Sequence, residues 1–112
     1  MVVCVAVTED GLVARRWARS ERVALAEVGP DGIESWREVD VDWGRLRETG
    51  TEGRHHARVA RFLREHHVGA VAARHMGDDM AHMLGKLGIA VHLGASGSAR
   101  DAALQAVESA GR

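Results

Sequence analysis

Cysteine is nearly missing from this chain: Cys4 is the only one in 112 residues. A lone thiol cannot close an intrachain disulfide, and nothing points to an oxidising compartment. Without a Cys-x-x-Cys pair, an iron–sulfur cluster held by protein thiolates is ruled out on ligand number. Lysine is nearly missing too. Lys86 stands alone among 15 basic residues, a pattern of coding bias more than of mechanism. Charge of either sign is balanced, with a formal net charge of −1, which excludes a general nucleic-acid or membrane-surface role. Long apolar runs are absent. Met1 to Val7 is apolar but lacks a basic leader and is too short for a signal peptide or a membrane span, so the expected location is the cytoplasm. Walker loop, dinucleotide glycine motif and nucleophile elbow are all missing.

What is there reads as one domain over residues 1–112. Val2 to Val7 is apolar on both alternating faces, with Val3, Val5 and Val7 on one and Val2, Cys4 and Ala6 on the other. That pattern predicts a central strand covered on both sides. Arg22 to Val28 and Ile33 to Trp43 predict two more strands joined by the turn Gly29-Pro30-Asp31-Gly32. Ile33, Val39 and Val41 share one face of the third strand, and acidic residues share the other, so it should be a half-solvated edge. Gly44 to Gly53 reads as loop. Arg54 to His66 reads as a helix with Val59, Ala60 and Leu63 on its inner stripe and Thr51-Glu52 at its start. A buried strand, Val68 to Ala73, a helix, Asp78 to Lys86, a short strand, Ile89 to Leu93, and a closing helix, Ala99 to Ala110, complete the chain. The small inner stripe of the last helix is Ala99, Ala103, Ala106 and Ala110. The order β-β-β-α-β-α-β-α predicts an α/β fold with a mixed five-stranded sheet, order 3-2-1-4-5, and helices on both faces.

In such a sheet the ends of the parallel strands and the starts of the helices meet at one edge, where ligands usually bind. Thr8-Glu9-Asp10, His55-His56, His75-Met76-Gly77 and Ala95-Ser96-Gly97 converge there. His75 ends a buried strand just before a helix, and neutral imidazole is a common transition-metal ligand. Gly77 permits a sharp turn or close backbone approach. Met76 is either a soft ligand or core filler, with core favoured. His56, on the apolar helix stripe, reads either as a ligand or as a hydrogen-bonded histidine at the rim of the core; His55 reads as structural. The Ser96-Gly97 loop could cradle an anion through backbone amides or simply start a helix. Cys4 is read as an inert buried thiol. Trp17 and Trp36 fall on loop and solvent-side positions, which can mark a partner surface or a homodimer contact. The topology is shared with ribonuclease H-like nucleases, but the first strand carries no carboxylate and the fourth ends in Arg74-His75, which disfavours Mg²⁺-dependent cleavage.

On these residues the chain resembles the dinitrogenase iron–molybdenum cofactor biosynthesis family. The likeness rests on Thr8-Glu9-Asp10-Gly11, the segment Val13 to Arg19, the hairpin, His55-His56, His75-Met76-Gly77, and Leu87-Gly88-Ile89 leading to Leu93-Gly94-Ala95-Ser96-Gly97. It implies a ribonuclease H-like fold without nuclease activity. It also implies a small non-enzymatic carrier of iron–molybdenum cofactor or an iron–sulfur precursor, related to nitrogen fixation, with cofactor-biosynthesis proteins as partners. A His-Phe-Gly-Arg motif frequent in that family is matched here by Arg16-Trp17-Ala18-Arg19, and a guanidinium cannot ligate a metal at ordinary pH. Arg16 and Arg19 are instead expected to pair with an anionic cluster or a carboxylate. The expected cofactor-binding set is therefore His75, His56, Met76, Gly77, Arg16, Arg19, Ser96 and Gly97, with His75 and His56 as the metal donors. Two rivals stand beside it: an interaction or regulatory domain that has lost cluster binding, and a metal-dependent hydrolase using His75, His56 and Asp10.

Overall fold

The computed structural model describes residues 1–110. Its elements are β1 (Val2–Ala6), β2 (Arg22–Gly29), β3 (Gly32–Asp40), α1 (Trp43–Arg47), α2 (Glu52–Glu65), β4 (Val68–Ala72), α3 (Asp78–Lys86), β5 (Ala90–His92) and α4 (Ala99–Ala110), with a 3₁₀ turn at Trp17–Arg19 after β1. The five strands lie in the order β3-β2-β1-β4-β5, as the sequence predicts. β1 is antiparallel to β2 and parallel to β4, and β4 is parallel to β5.

The two apolar faces of β1 divide the core. Cys4 and Ala6 pack with Val23, Leu25 and Val71 under α2 and α3, represented by Val59, Leu63, Met80 and Leu84. Val3, Val5 and Val7 pack with Ala24, Ala26, Ala70 and Ala72 against Ala99, Ala102, Ala103 and Ala106 of α4. Small residues face small residues across that second layer, so α4 can lie close to the sheet and still exclude water. Ala102 joins the stripe, and Ala110 is only half-buried.

Three local expectations are corrected. First, Ile33 and Val39 do not share a face. Val28 pairs with Ile33 while Glu27 pairs with Ser35, so Glu34 is an extra residue in the ladder, a β-bulge that reverses the alternation beyond it. Ile33 and Trp36 therefore pack on the α4 layer, and Val39 and Val41 on the other.

Second, β3 stops at Asp40, and the expected loop contains α1. Asp42 takes a left-handed conformation, φ 53° and ψ 33°, which turns the strand sharply into the helix. Asp tolerates this better than most residues because its short carboxylate can bond locally, here to Arg45 at 3.1 Å. Backbone bonds then tie this corner to the end of the 3₁₀ turn: Trp43 N–H donates to Ser20 O at 2.8 Å and Val41 N–H to Glu21 O at 2.8 Å.

Third, the tryptophans are not surface markers. Trp17 and Trp43 are each 1% exposed. They meet edge to face with centroids 5.1 Å apart, and Trp43 meets Phe62 the same way at 5.6 Å, a favoured arrangement for aromatic rings. Trp36 is half-buried beneath the Arg100 guanidinium, 4.6 Å from its centroid. The aromatics that motivated the interaction-domain reading are thus largely spent inside the fold.

Candidate functional site

β1 and β4 run parallel, so their carboxyl ends open on one sheet edge. After β1 the chain reverses at Thr8–Gly11, where Thr8 Oγ1 accepts from Leu12 N–H at 3.2 Å. It re-pairs briefly, Ala14 N–H to Ala6 O at 2.8 Å, then passes through extended Arg16 into the 3₁₀ turn. After β4 the chain passes exposed Arg74 and His75 and buried Met76 to Gly77, which precedes α3. One backbone bond joins the two segments, Trp17 N–H to His75 O at 3.4 Å. The third wall comes from α1 and the start of α2, where Thr51 caps the helix by accepting from Arg54 N–H at 3.2 Å.

These walls enclose two adjoining clefts. The first, about 350 Å³, is lined by Arg16, Trp17, Ala18, Arg19, Arg47, His75, Met76 and Gly77. The second, about 310 Å³, is lined by Ala18, Arg47, Glu52, His55, His56, Gly77, Asp78, Asp79 and Met80. Ala18, Arg47 and Gly77 form the shared partition. Electrostatically the two differ. The first is lined by three arginines and by no acidic residue. The second carries Glu52, Asp78 and Asp79, and Arg47 leans toward it through a 2.9 Å ion pair with Glu52.

Six of the eight expected site residues therefore line this paired cleft: His75, Met76, Gly77, Arg16 and Arg19 the first chamber, His56 the second. Ser96 and Gly97 line neither. Their loop is committed to packing, with Gly97 O accepting from Val13 N–H at 2.8 Å, Ser98 bridged to Leu12, and Ala99 N–H bonded to Gly11 O at 3.0 Å. Gly77 has φ −64°, so no turn demands glycine there. A Cβ at Gly77 would meet nothing within 4 Å, which leaves its backbone open to the cleft.

The inner stripe of α2 starts at His55 and not, as the spacing predicts, at His56. His55, at 2% exposure, is the buried member, and His56 is half-buried. The inner stripe of α2 is His55, Val59 and Leu63, four residues apart each time. The ring of His55 faces Arg58 through Nδ1 at 3.4 Å, and Nε2 makes no hydrogen bond of good geometry. Burial lowers its pKa from the ordinary value, the Ala18 backbone opposes this, and positive charge on Arg47, Arg58 and His56 lowers it further. Trp17 Nε1 is a second buried polar atom without a hydrogen-bond partner. From sequence, His55 reads as structural and Trp17 as a loop aromatic, and Arg47 is not singled out. Strict i, i+4 spacing from Leu63 back through Val59 would have found His55; Arg47 sits on the unexpected helix and left no comparable signal. Among the described residues, no three His, Cys, Asp or Glu side chains converge as a metal site, and no helix is long and apolar enough to cross a membrane.

Comparison with known proteins follows this geometry. The apo form of the orange protein from Desulfovibrio gigas is 19% identical, with a TM-score of 0.72 over 97% of this chain and 88% of that one. PH0822 is 19% identical, with a TM-score of 0.73 over 90% and 83%. TM1290 from Thermotoga is 17% identical, with a TM-score of 0.67 over 96% and 87%. At such identities the likeness concerns the fold alone. No protein of curated function matches. Residues 1–110 match the family described as dinitrogenase iron-molybdenum cofactor, and with nearly the whole chain covered, this protein belongs to that family.

Proposed function

We propose that the protein is a non-enzymatic cytoplasmic carrier whose cargo is an anionic metal cluster of the iron–molybdenum or iron–sulfur precursor type. The supporting observation is the first cleft, where an imidazole, a thioether and three guanidinium groups line one space without a carboxylate. His75 would donate nitrogen to the metal from the cleft wall, and His56 would do so from the adjoining chamber. Met76 offers a thioether but is 5% exposed and anchored in the core, so its part is mainly to fix the turn. Arg16, Arg19 and Arg47 would offset the cluster's charge, and the bare backbone at Gly77 would admit its bulk. A donor set this sparse suits cargo that must be handed on, because each protein–metal bond adds to the barrier to release. Proteins that build or receive the cofactor are the partners this reading implies.

The test is an anaerobic titration with isolated iron–molybdenum cofactor, followed by visible absorbance and gel filtration. Metal should co-elute with the wild type and be lost from a His56→Ala/His75→Ala double variant. Retention by both proteins would refute the assigned ligands. Retention by neither would refute the carrier.

A further inference from the structure

We propose that the first cleft also binds a small tetrahedral dianionic oxyanion, the chemistry shared by molybdate, sulfate and phosphate, as a ligand in its own right. The proposal rests on the carrier reading for the location of the site only. The donor inventory carries it. Soft metal donors in the cleft are one imidazole and one thioether, whereas Arg16, Arg19 and Arg47 each offer up to five N–H donors in a planar fork. Such forks match oxyanion geometry better than they match a metal centre.

Arg16 and Arg19 are exposed, and among the described residues neither guanidinium has an ion pair or a side-chain hydrogen bond. Arg47 is held in place by Glu52 through one nitrogen, which leaves the rest of its fork free. Trp17 forms part of the same wall. It is 1% exposed and its Nε1–H has no acceptor in the protein, and a buried donor left unsatisfied is costly. The cleft also meets the start of α3 at Gly77, where no side chain caps the helix and backbone N–H groups favour an anion. Asp78 and Asp79 oppose this in the first turn, but both line the second cleft, not the first.

The test uses the full chain, with isothermal titration of sodium molybdate, sulfate and phosphate in separate runs and tryptophan fluorescence as the site readout. Saturable binding of at least one anion is expected, together with a change in indole emission. The order of the three affinities gives the selectivity of the cleft among them. An Arg16→Gln/Arg19→Gln variant, altered only at exposed positions, should lose at least about tenfold in affinity, since hydrogen bonds to charged groups are each worth this much or more. His75→Ala should stay within about threefold, because an imidazole adds little to an oxyanion already held by three guanidinium groups. Trp17→Phe, which removes the indole from the cleft wall, should remove most of the emission change. Absence of saturable binding at millimolar anion, or undiminished affinity in the double arginine variant, would overturn the inference. Cofactor retention by a protein that binds none of the three anions would overturn this inference and leave the carrier reading intact. Oxyanion binding by a protein that retains no cofactor would do the reverse.

Discussion

Gly44 makes the most direct test of how the fold supports the site. It lies in α1, and a Cβ built there would fall 2.7 Å from the Arg19 carbonyl oxygen and 3.4 Å from its carbon. That contact is with backbone, so no side chain can swing away. Gly85, in α3, is exposed and would place its Cβ in open space. Replacing a helical glycine with alanine stabilises by about 0.5–1 kcal/mol through backbone entropy. Gly85→Ala should show that gain. Gly44→Ala should show it too, minus an overpacking cost of about 1–3 kcal/mol. The difference between the variants isolates the contact, because both substitutions make the same chemical change in the same secondary structure. Urea and thermal denaturation would measure it, at roughly 4–8 °C per kcal/mol for a domain near this size. Since Arg19 lies at the contact and also lines the cleft, Gly44→Ala should in addition weaken anion binding, while Gly85→Ala should not. If Gly44→Ala proves as stable as Gly85→Ala or more so, the 3₁₀ turn is not braced by α1 in the way described.

Further outcomes follow from the core and from titration. Trp43→Ala should cost about 3–5 kcal/mol, and Trp36→Ala less than half of that, by denaturant unfolding. His55 is held below its ordinary pKa of 6.5 when folded, so below that pH the unfolded chain binds the proton more readily. The part of the stability due to His55 should be flat above about 6.5 and fall as pH drops toward the lowered folded value. A His55→Gln variant should lose that part of the slope in pH-dependent denaturation, and an unchanged slope would show that another group is responsible. Cys4 is fully buried and its thiol pKa is raised by burial. It should resist an aromatic disulfide reagent in the native protein and react only as fast as the chain opens.

The sheet was legible because its strands are short apolar runs separated by turn residues, and β1 declares itself central through apolar residues on both faces. The helices α3 and α4 match their expected limits, since Gly77, Gly88 and the Gly94–Ser98 loop punctuate them. The β3 bulge was not legible. One unpaired residue leaves no mark in composition, yet it moves Val39 to the other layer. Nor was α1, which starts from a left-handed Asp42 where sequence offers no glycine. Phase on α2 failed by one position: Val59, Ala60 and Leu63 fit a stripe beginning at either His55 or His56, about 100° apart on the wheel. Burial, which depends on what packs opposite, chose His55. The cleft itself was half legible. Strand ends placed His75 at the sheet edge and the family resemblance brought in Arg16 and Arg19, but Arg47 entered through a helix that has no strong period.

The pairing of β1 with β4 also bears on when the site can exist. The β2–β3 hairpin closes a short loop and can form early, but it contributes no residue to the first cleft. That cleft is assembled from residues 16–19, 47 and 75–77, which come together only when β1 finds β4 across most of the chain. Non-local pairings of this kind form slowly. An incomplete chain emerging from synthesis therefore presents its arginines scattered and its histidines apart, with no ligand site to fill. Under the carrier reading, loading follows folding, and the occupant would stabilise the folded chain with the logarithm of one plus its concentration over its Kd. On that reading, a loaded cleft would mark a chain whose β1–β4 pairing is complete.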